Sequence, residues 1–135
     1  MSSGNVEVVR RLFDYWERGE WQASAELFDS GFEAVFSAAA FPDPGTYRGA
    51  RSTLDAWRRW LDAWEEFSLE LEEVIPVGDR VVVLNGLRGR GKTSGIPVDS
   101  EVGCTFDFDE GKIVRMVLCD RDEALEAARE GAEPA

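Results

Sequence analysis

Residues 86–93, Gly-Leu-Arg-Gly-Arg-Gly-Lys-Thr, fit the phosphate-loop pattern G-x-x-x-x-G-K-[ST] letter for letter. In a working phosphate loop the glycines let backbone N–H groups wrap the anion. A helix that starts at the Lys-Thr then aims its free N–H groups and its dipole at the phosphate. The context here withholds that helix. Ser94-Gly95-Ile96-Pro97 follow Thr93, and glycine and then proline within four residues stop a helix from starting. Met116–Asp120 imitates the apolar run and aspartate that hold magnesium, but the surrounding segments read as antiparallel strands. These leave no room for a parallel sheet with crossover helices. The expectation is a glycine-rich hairpin end with exposed basic residues.

Other chemistries are narrowed by composition. The chain has no histidine, which removes a histidine-based triad and any zinc site that needs imidazole. Its two cysteines, Cys104 and Cys119, are too few for a disulfide framework, and a catalytic thiol would lack a nearby base. They read as reduced, small buried hydrophobes. The acidic run Glu65-Glu66 with Glu70, Glu72 and Glu73 reads as a solvated face. No metal ion and no cofactor is called for. Acidic residues outnumber Lys and Arg by 27 to 15, a net charge of −12 over 135 residues. Nucleic acid and anionic membranes, which need a concentrated positive surface, are poor partners for such a chain. Met1–Asn5 is polar and resembles no signal peptide, and no apolar stretch nears the roughly 20 residues of a membrane span. The expectation is one domain over residues 1–135, soluble and cytoplasmic.

The elements that must position any site follow from periodicity. Asn5 is the expected N-cap of a first helix, with Val6, Val9, Phe13 and Trp16 on one face, Leu12 beside them and Gly19 as the stop. Glu20–Ser30 is expected as a second short helix, Phe32–Ser37 as a strand, and Ala38–Gly49 as a loop of the kind that covers a pocket. Ala50–Phe67 carries the strongest helical stripe, Leu54, Trp57, Leu61 and Trp64, flanked by Trp60. The period then changes to two. Strands are expected over Ser68–Val77, Arg80–Leu87, Val98–Phe108 and Ile113–Cys119, and a short helix over Asp120–Glu130. That order predicts an α+β fold: a cone-shaped, curved antiparallel sheet with three N-terminal helices against one face and a short C-terminal helix. A cavity lies between helices and sheet.

With Val8-Val9-Arg10-Arg11-Leu12-Phe13, Gly19-Glu20, Gly45-Thr46-Tyr47-Arg48-Gly49 and Glu110-Gly111-Lys112-Ile113-Val114-Arg115 in this order and spacing, the chain resembles the nuclear transport factor 2-like superfamily. Within it, the similarity is to the SnoaL-like polyketide cyclase and ketosteroid isomerase branch, over nearly the whole length. The resemblance implies the fold and not the reaction, because the superfamily holds isomerases, cyclases, dehydratases, epoxide hydrolases and non-catalytic binders. Carried over position by position, the isomerases' tyrosine falls on Leu12, their general-base aspartate on Phe36 and their protonated aspartate on Cys104. The cyclases' histidine and aspartate fall on Met116 and Leu118. Every one of these polar positions is occupied by an apolar side chain or a thiol.

The same alignment implies that Val82, Leu84, Gly86 and Arg88 share one inward face, Val102, Cys104 and Phe106 a second, and Met116, Leu118 and Asp120 a third. The expected ligand-binding residues are Leu12, Trp16, Phe36, Trp57 and Trp60 from the first half. Leu84, Cys104, Phe106, Met116 and Leu118 supply the rest. For Trp57, Trp60 and Trp64, core packing competes with pocket lining. The two inward charges, Arg88 and Asp120, are the candidate catalytic pair: an ionised Asp120 beside Arg88 would act as a base toward water or a carbon acid. Competing with that role, Asp120 precedes Arg121-Asp122-Glu123 as a helix cap. Asn85, one step out of phase with Arg88, is expected to meet a partner subunit, and Val81, Val83, Thr105 and Val117 to form a homodimer contact. Two functional readings result, a pocket protein for an apolar or aromatic small molecule and an acid–base enzyme built on Asp120 with Arg88.

Overall fold

A computed structural model describes residues 2–37 and 45–132; most of the loop expected over residues 38–49 lies outside them. The elements are α1 (Ser2–Glu17), a 3-10 segment (Ala23–Leu27), β1 (Phe28–Phe36), β2 (Gly45–Arg48), α2 (Gly49–Leu61), β3 (Trp64–Val77), β4 (Arg80–Gly91), β5 (Pro97–Asp109), β6 (Lys112–Asp120) and α3 (Arg121–Ala132). Six strands form one sheet in the order β2-β1-β6-β5-β4-β3. The sheet is mixed rather than wholly antiparallel, because β1 lies parallel to β6 while every other neighbouring pair is antiparallel. This pairing is non-local: β6 returns beside β1 after the chain has passed through β2, α2 and β3–β5. Among the described residues, no helix is long and apolar enough to cross a membrane.

The helical stripe of α1 is buried as its spacing predicts, with Val9, Leu12, Phe13 and Trp16 in the core and Gly19 leaving the helix at φ +73°. Asn5 is not its cap. It lies inside the helix, and its Nδ2 donates to the Asp79 carbonyl (3.1 Å) at the β3–β4 turn. The second helix shrinks to the five-residue 3-10 segment, because Phe28 already pairs with Ile113 of β6.

Helix α2 stops at Leu61, three residues before the last member of its apolar stripe, Trp64, and short of the expected end at Phe67. The cause is capture by the sheet: the Lys92 N–H donates to the Ala63 carbonyl (2.8 Å), and Trp64 opens β3 opposite Gly91. A bulge between Glu65 and Ser68, with Glu66 at φ +52°, turns Trp64 and Phe67 to the same side. Both rings then meet Trp60, at 5.6 and 4.9 Å between centroids.

The strands β4, β5 and β6 carry the core. Val81 stands opposite Phe106, and Phe106 opposite Met116; Val83 stands opposite Cys104, and Cys104 opposite Leu118. These rows face α1 and α2. The opposite face carries Val82, Leu84 and Cys119, covered by Ala124 and its neighbours on α3. The expected phase of β5 and β6 holds, and that of β4 is reversed. Val82 and Leu84 lie under α3 instead of in the cavity, while Val81 and Val83, expected at an assembly surface, are fully buried in the core.

Candidate functional site

The phosphate-loop match lies at the end of β4 and in the hairpin leading to β5. There the Gly91 N–H donates to the Ile96 carbonyl (3.1 Å) and the Gly95 N–H to Gly91 (2.8 Å). A strand follows, not a helix, so no aligned N–H groups face an anion. Arg88, Arg90 and Lys92 are exposed.

Asp120 caps α3. Its Oδ1 accepts the Glu123 N–H (2.8 Å), and its own N–H donates to Glu123 Oε1 (3.3 Å), the reciprocal arrangement of a capping box. Glu123 Oε1 also accepts from the Ser37 hydroxyl (2.7 Å), tying the helix start to the end of β1. Arg88 is exposed and faces Asp99 on β5 (3.7 Å). Asp120 shares a row with Val102 and Asn85, three residues along β4 from Arg88. Two strands across and three residues along put the two backbones roughly 14 Å apart. The structure does not bring this pair together. Arg88 instead borders a groove with Trp16, Trp21, Phe67, Glu17 and Glu70.

What the fold does bring together is aromatic. Trp57 of α2 lies near-parallel to Trp16 of α1 at 5.7 Å, and Trp16 likewise to Trp21 at 5.8 Å. Phe36 meets Trp57 edge-on at 5.9 Å, and Trp60 lies 5.1 Å from it on the far side. Trp57 thereby divides two spaces. On one side is a cleft walled by Trp16, Trp21, Phe28, Phe32, Leu54 and Met116, with Ser24, Ala25, Ala50 and Thr53 completing it. Its two hydroxyls are already engaged, Ser24 to the Trp21 carbonyl (2.6 Å) and Thr53 to Gly49 (2.9 Å). Among the described residues, no ionisable side chain lines it. The cleft is narrow, with a free volume of about 40 Å³, room for a few waters at ~10–15 Å³ each.

On the other side of Trp57 is a deeper space of about 10 Å³, bounded by Trp60, Leu69, Asn85, Leu87, Val102, Cys104 and Leu118. Two of the residues that line it, Trp57 and Asn85, each carry an orphaned polar atom. Trp57 Nε1, a donor, and Asn85 Oδ1, an acceptor, are both buried without a hydrogen-bond partner. Each such atom costs about 1–3 kcal/mol where it stays unpaired. Cys104 adds no nucleophile: burial, and then the neighbouring Cys119, push its thiol well above the ordinary range. Cys119, on the α3 face, is pushed up to about 12 by burial and then by the nearby Glu123 and Asp120 carboxylates.

Of the expected ligand-binding residues, Trp16, Trp57 and Met116 line the cleft, and Trp57, Trp60, Cys104 and Leu118 the deeper space. Leu12, Phe36 and Phe106 are buried in the same core but line neither. Leu84 lies across the sheet from both. Sequence reasoning missed Asn85, turned inward by the reversed phase of β4. The available signal was one amide in a strand that is otherwise apolar from Val81 to Leu87.

The sequence profile of the SnoaL-like domain matches residues 9–116. No curated protein matches the chain. Among solved structures, an NTF2-like protein of unknown function from Burkholderia pseudomallei K96243 is 20% identical, with 93% of this chain and 95% of that one aligned at a TM-score of 0.79. A candidate SnoaL-like polyketide cyclase from Jannaschia sp. CCS1 is 24% identical over 98% and 94% of the two chains, TM-score 0.77. TerC, co-crystallised with polyporic acid, is 17% identical over 94% and 98%, TM-score 0.75. These similarities establish the fold, and the reaction of none of them carries over.

Proposed function

Because the chain belongs to the SnoaL-like domain family, whose members commonly bind small molecules, we propose that it is a pocket protein for an apolar, aromatic ligand. The ligand is held between α1, the 3-10 segment and α2. The observation that carries this reading is the cleft wall: among the described residues it presents five aromatic side chains and a methionine, no ionisable group, and two hydroxyls that are already bonded. Such a wall offers dispersion and ring stacking to a flat apolar molecule and nothing to a charged one. The cleft is narrow, so an aromatic ligand enters by parting Trp16, Trp21 and Trp57. An acid–base reading built on Asp120 with Arg88 has no comparable support, since one caps a helix and the other faces Asp99 in solvent.

The test is a thermal unfolding series with naphthalene as probe. A ligand at ten times its Kd stabilises the native state by about 1.4 kcal/mol, a rise of roughly 4–6 °C in Tm for a chain of this size. Trp21→Ala, which opens the wall at a half-buried ring, should abolish the rise while the variant still unfolds cooperatively. No rise with naphthalene or its alkyl derivatives would end the pocket reading.

A further inference from the structure

We infer that the space behind Trp57 is a subsite for a single hydroxyl group on the aromatic ligand, recognised by Asn85 and Trp57 together. Asn85 Oδ1 can only accept a hydrogen bond and Trp57 Nε1 can only donate one. Both atoms are buried and lack a partner among the described residues, and the two residues that carry them line the same space. Asn85 is 1% exposed, so bulk water does not satisfy it. The pair is met in full by one group that donates and accepts at once. A hydroxyl does both; a carbonyl or ether oxygen satisfies only Trp57, an ammonium only Asn85, and a methyl neither. The space of about 10 Å³ suits one oxygen-sized group and no more. Trp57 lines the aromatic cleft as well, so its indole joins the two spaces: a ring stacked in the cleft reaches the subsite with a substituent directed past Trp57. The apolar groups around the site, Leu69, Leu87, Cys104 and Leu118, offer a substituent no competing partner. The ligand class is thus a hydroxyarene, an inference that rests on the pocket reading above and adds its specificity.

The test compares 2-naphthol with 2-methylnaphthalene, close in shape and different only in the group offered to the subsite. Both are measured by equilibrium dialysis at pH 7 against the full chain. A purely apolar cleft favours the methyl compound, because it leaves water more readily. The expected result is the reverse: 2-naphthol binds at least tenfold tighter, since the unbonded polar pair rejects the methyl group. In Asn85→Leu the preference should fall to parity or invert, because 2-naphthol loses its acceptor and 2-methylnaphthalene no longer faces an unpaired amide oxygen. Trp57→Phe, which keeps a ring and removes the donor, should do the same and serves if the first variant does not fold. A wild-type ratio at or below one overturns the subsite and leaves the pocket reading standing. So does a preference that survives both variants. Binding of neither compound overturns the pocket reading and the subsite with it.

Discussion

Gly103 on β5 and Ala124 on α3 pack so closely that a Cβ on Gly103 would stand 2.4 Å from the Cβ of Ala124, and 3.2 Å from the carbonyl oxygens of Asp120 and Val83. Glycine at this position lets α3 settle on the sheet and seal Val82, Leu84 and Cys119 beneath it. Gly103→Ala should therefore destabilise the protein by about 1–3 kcal/mol, as overpacking does in a close-packed interior. Adding Ala124→Gly removes one clash at the expense of helix propensity, about 1 kcal/mol. The double variant should recover part of the loss and no more. Urea unfolding of the four proteins measures the coupling; strictly additive effects would mean the two residues do not touch in solution.

The cap role of Asp120 separates cleanly from a catalytic one. Asparagine caps helices as well as aspartate, whereas alanine loses the bond to the Glu123 N–H. Asp120→Asn should leave stability within about 0.5 kcal/mol of wild type, and Asp120→Ala should lower it by about 1 kcal/mol. Chemical denaturation checks both. Ligand binding in the cleft should be unchanged in each variant, because Asp120 lines neither space around Trp57.

Cys104 and Cys119 sit on adjacent strands one residue out of register, Cys104 opposite Leu118 and Cys119 opposite Gly103, on opposite faces of the sheet. Side chains that point apart cannot be bridged without moving the backbone, so both thiols should stay free under oxidising conditions. Folding raises both thiol pKa values above the ordinary 9.0, Cys119 to about 12. The sign follows: below pH 9 both states hold the proton and stability is flat. Above it the unfolded chain releases protons that the folded chain retains, and stability falls by at most about 1.4 kcal/mol per pH unit for each thiol. Denaturation at pH 8, 9 and 10 should show that fall, and Cys104→Ala should remove the share that Cys104 carries and leave that of Cys119. A slope unchanged by the substitution would assign the loss to other groups.

The sheet was legible from the letters wherever one strand face was polar, and illegible where none was. On β5, Cys104 and Phe106 alternate with the more polar Thr105 and Asp107, and on β6 the charged Arg115 stands on the opposite face from Met116, so the inward side is readable. On β4, Val81-Val82-Val83-Leu84 is apolar at every step, because the core covers one face and α3 the other. A slip of one residue leaves that pattern unchanged, and the amide of Asn85 is assigned outward by default. The Trp57 stripe misled differently. Its spacing continues to Trp64, yet Trp64 reaches the same aromatic cluster from a bulged strand rather than from the helix. Periodicity reports which side chains gather and not which backbone delivers them. The candidate pair Arg88 and Asp120 failed for another reason: the two residues stand two strands apart and three residues along the sheet, a separation set by strand register that the letters do not show.

Asn85 joins these threads in a final prediction. A buried amide oxygen without a partner is a standing cost of about 1–3 kcal/mol in the unliganded protein, and an apolar side chain of similar volume removes that cost. Asn85→Leu should thus unfold at higher urea than wild type, by about 1–2 kcal/mol, while losing the preference for a hydroxylated probe. Stability gained and selectivity lost in one substitution is the mark of a residue kept for its ligand. A drop in stability of more than 1 kcal/mol would instead mean that a resident water bonds the amide at all times, making Asn85 part of the scaffold. Trp57→Phe discriminates further: with Nε1 unpaired it should change stability little in the absence of ligand. Were a water to bridge Nε1 and Oδ1 permanently, both variants should be destabilised, and the double variant by less than the sum of the two.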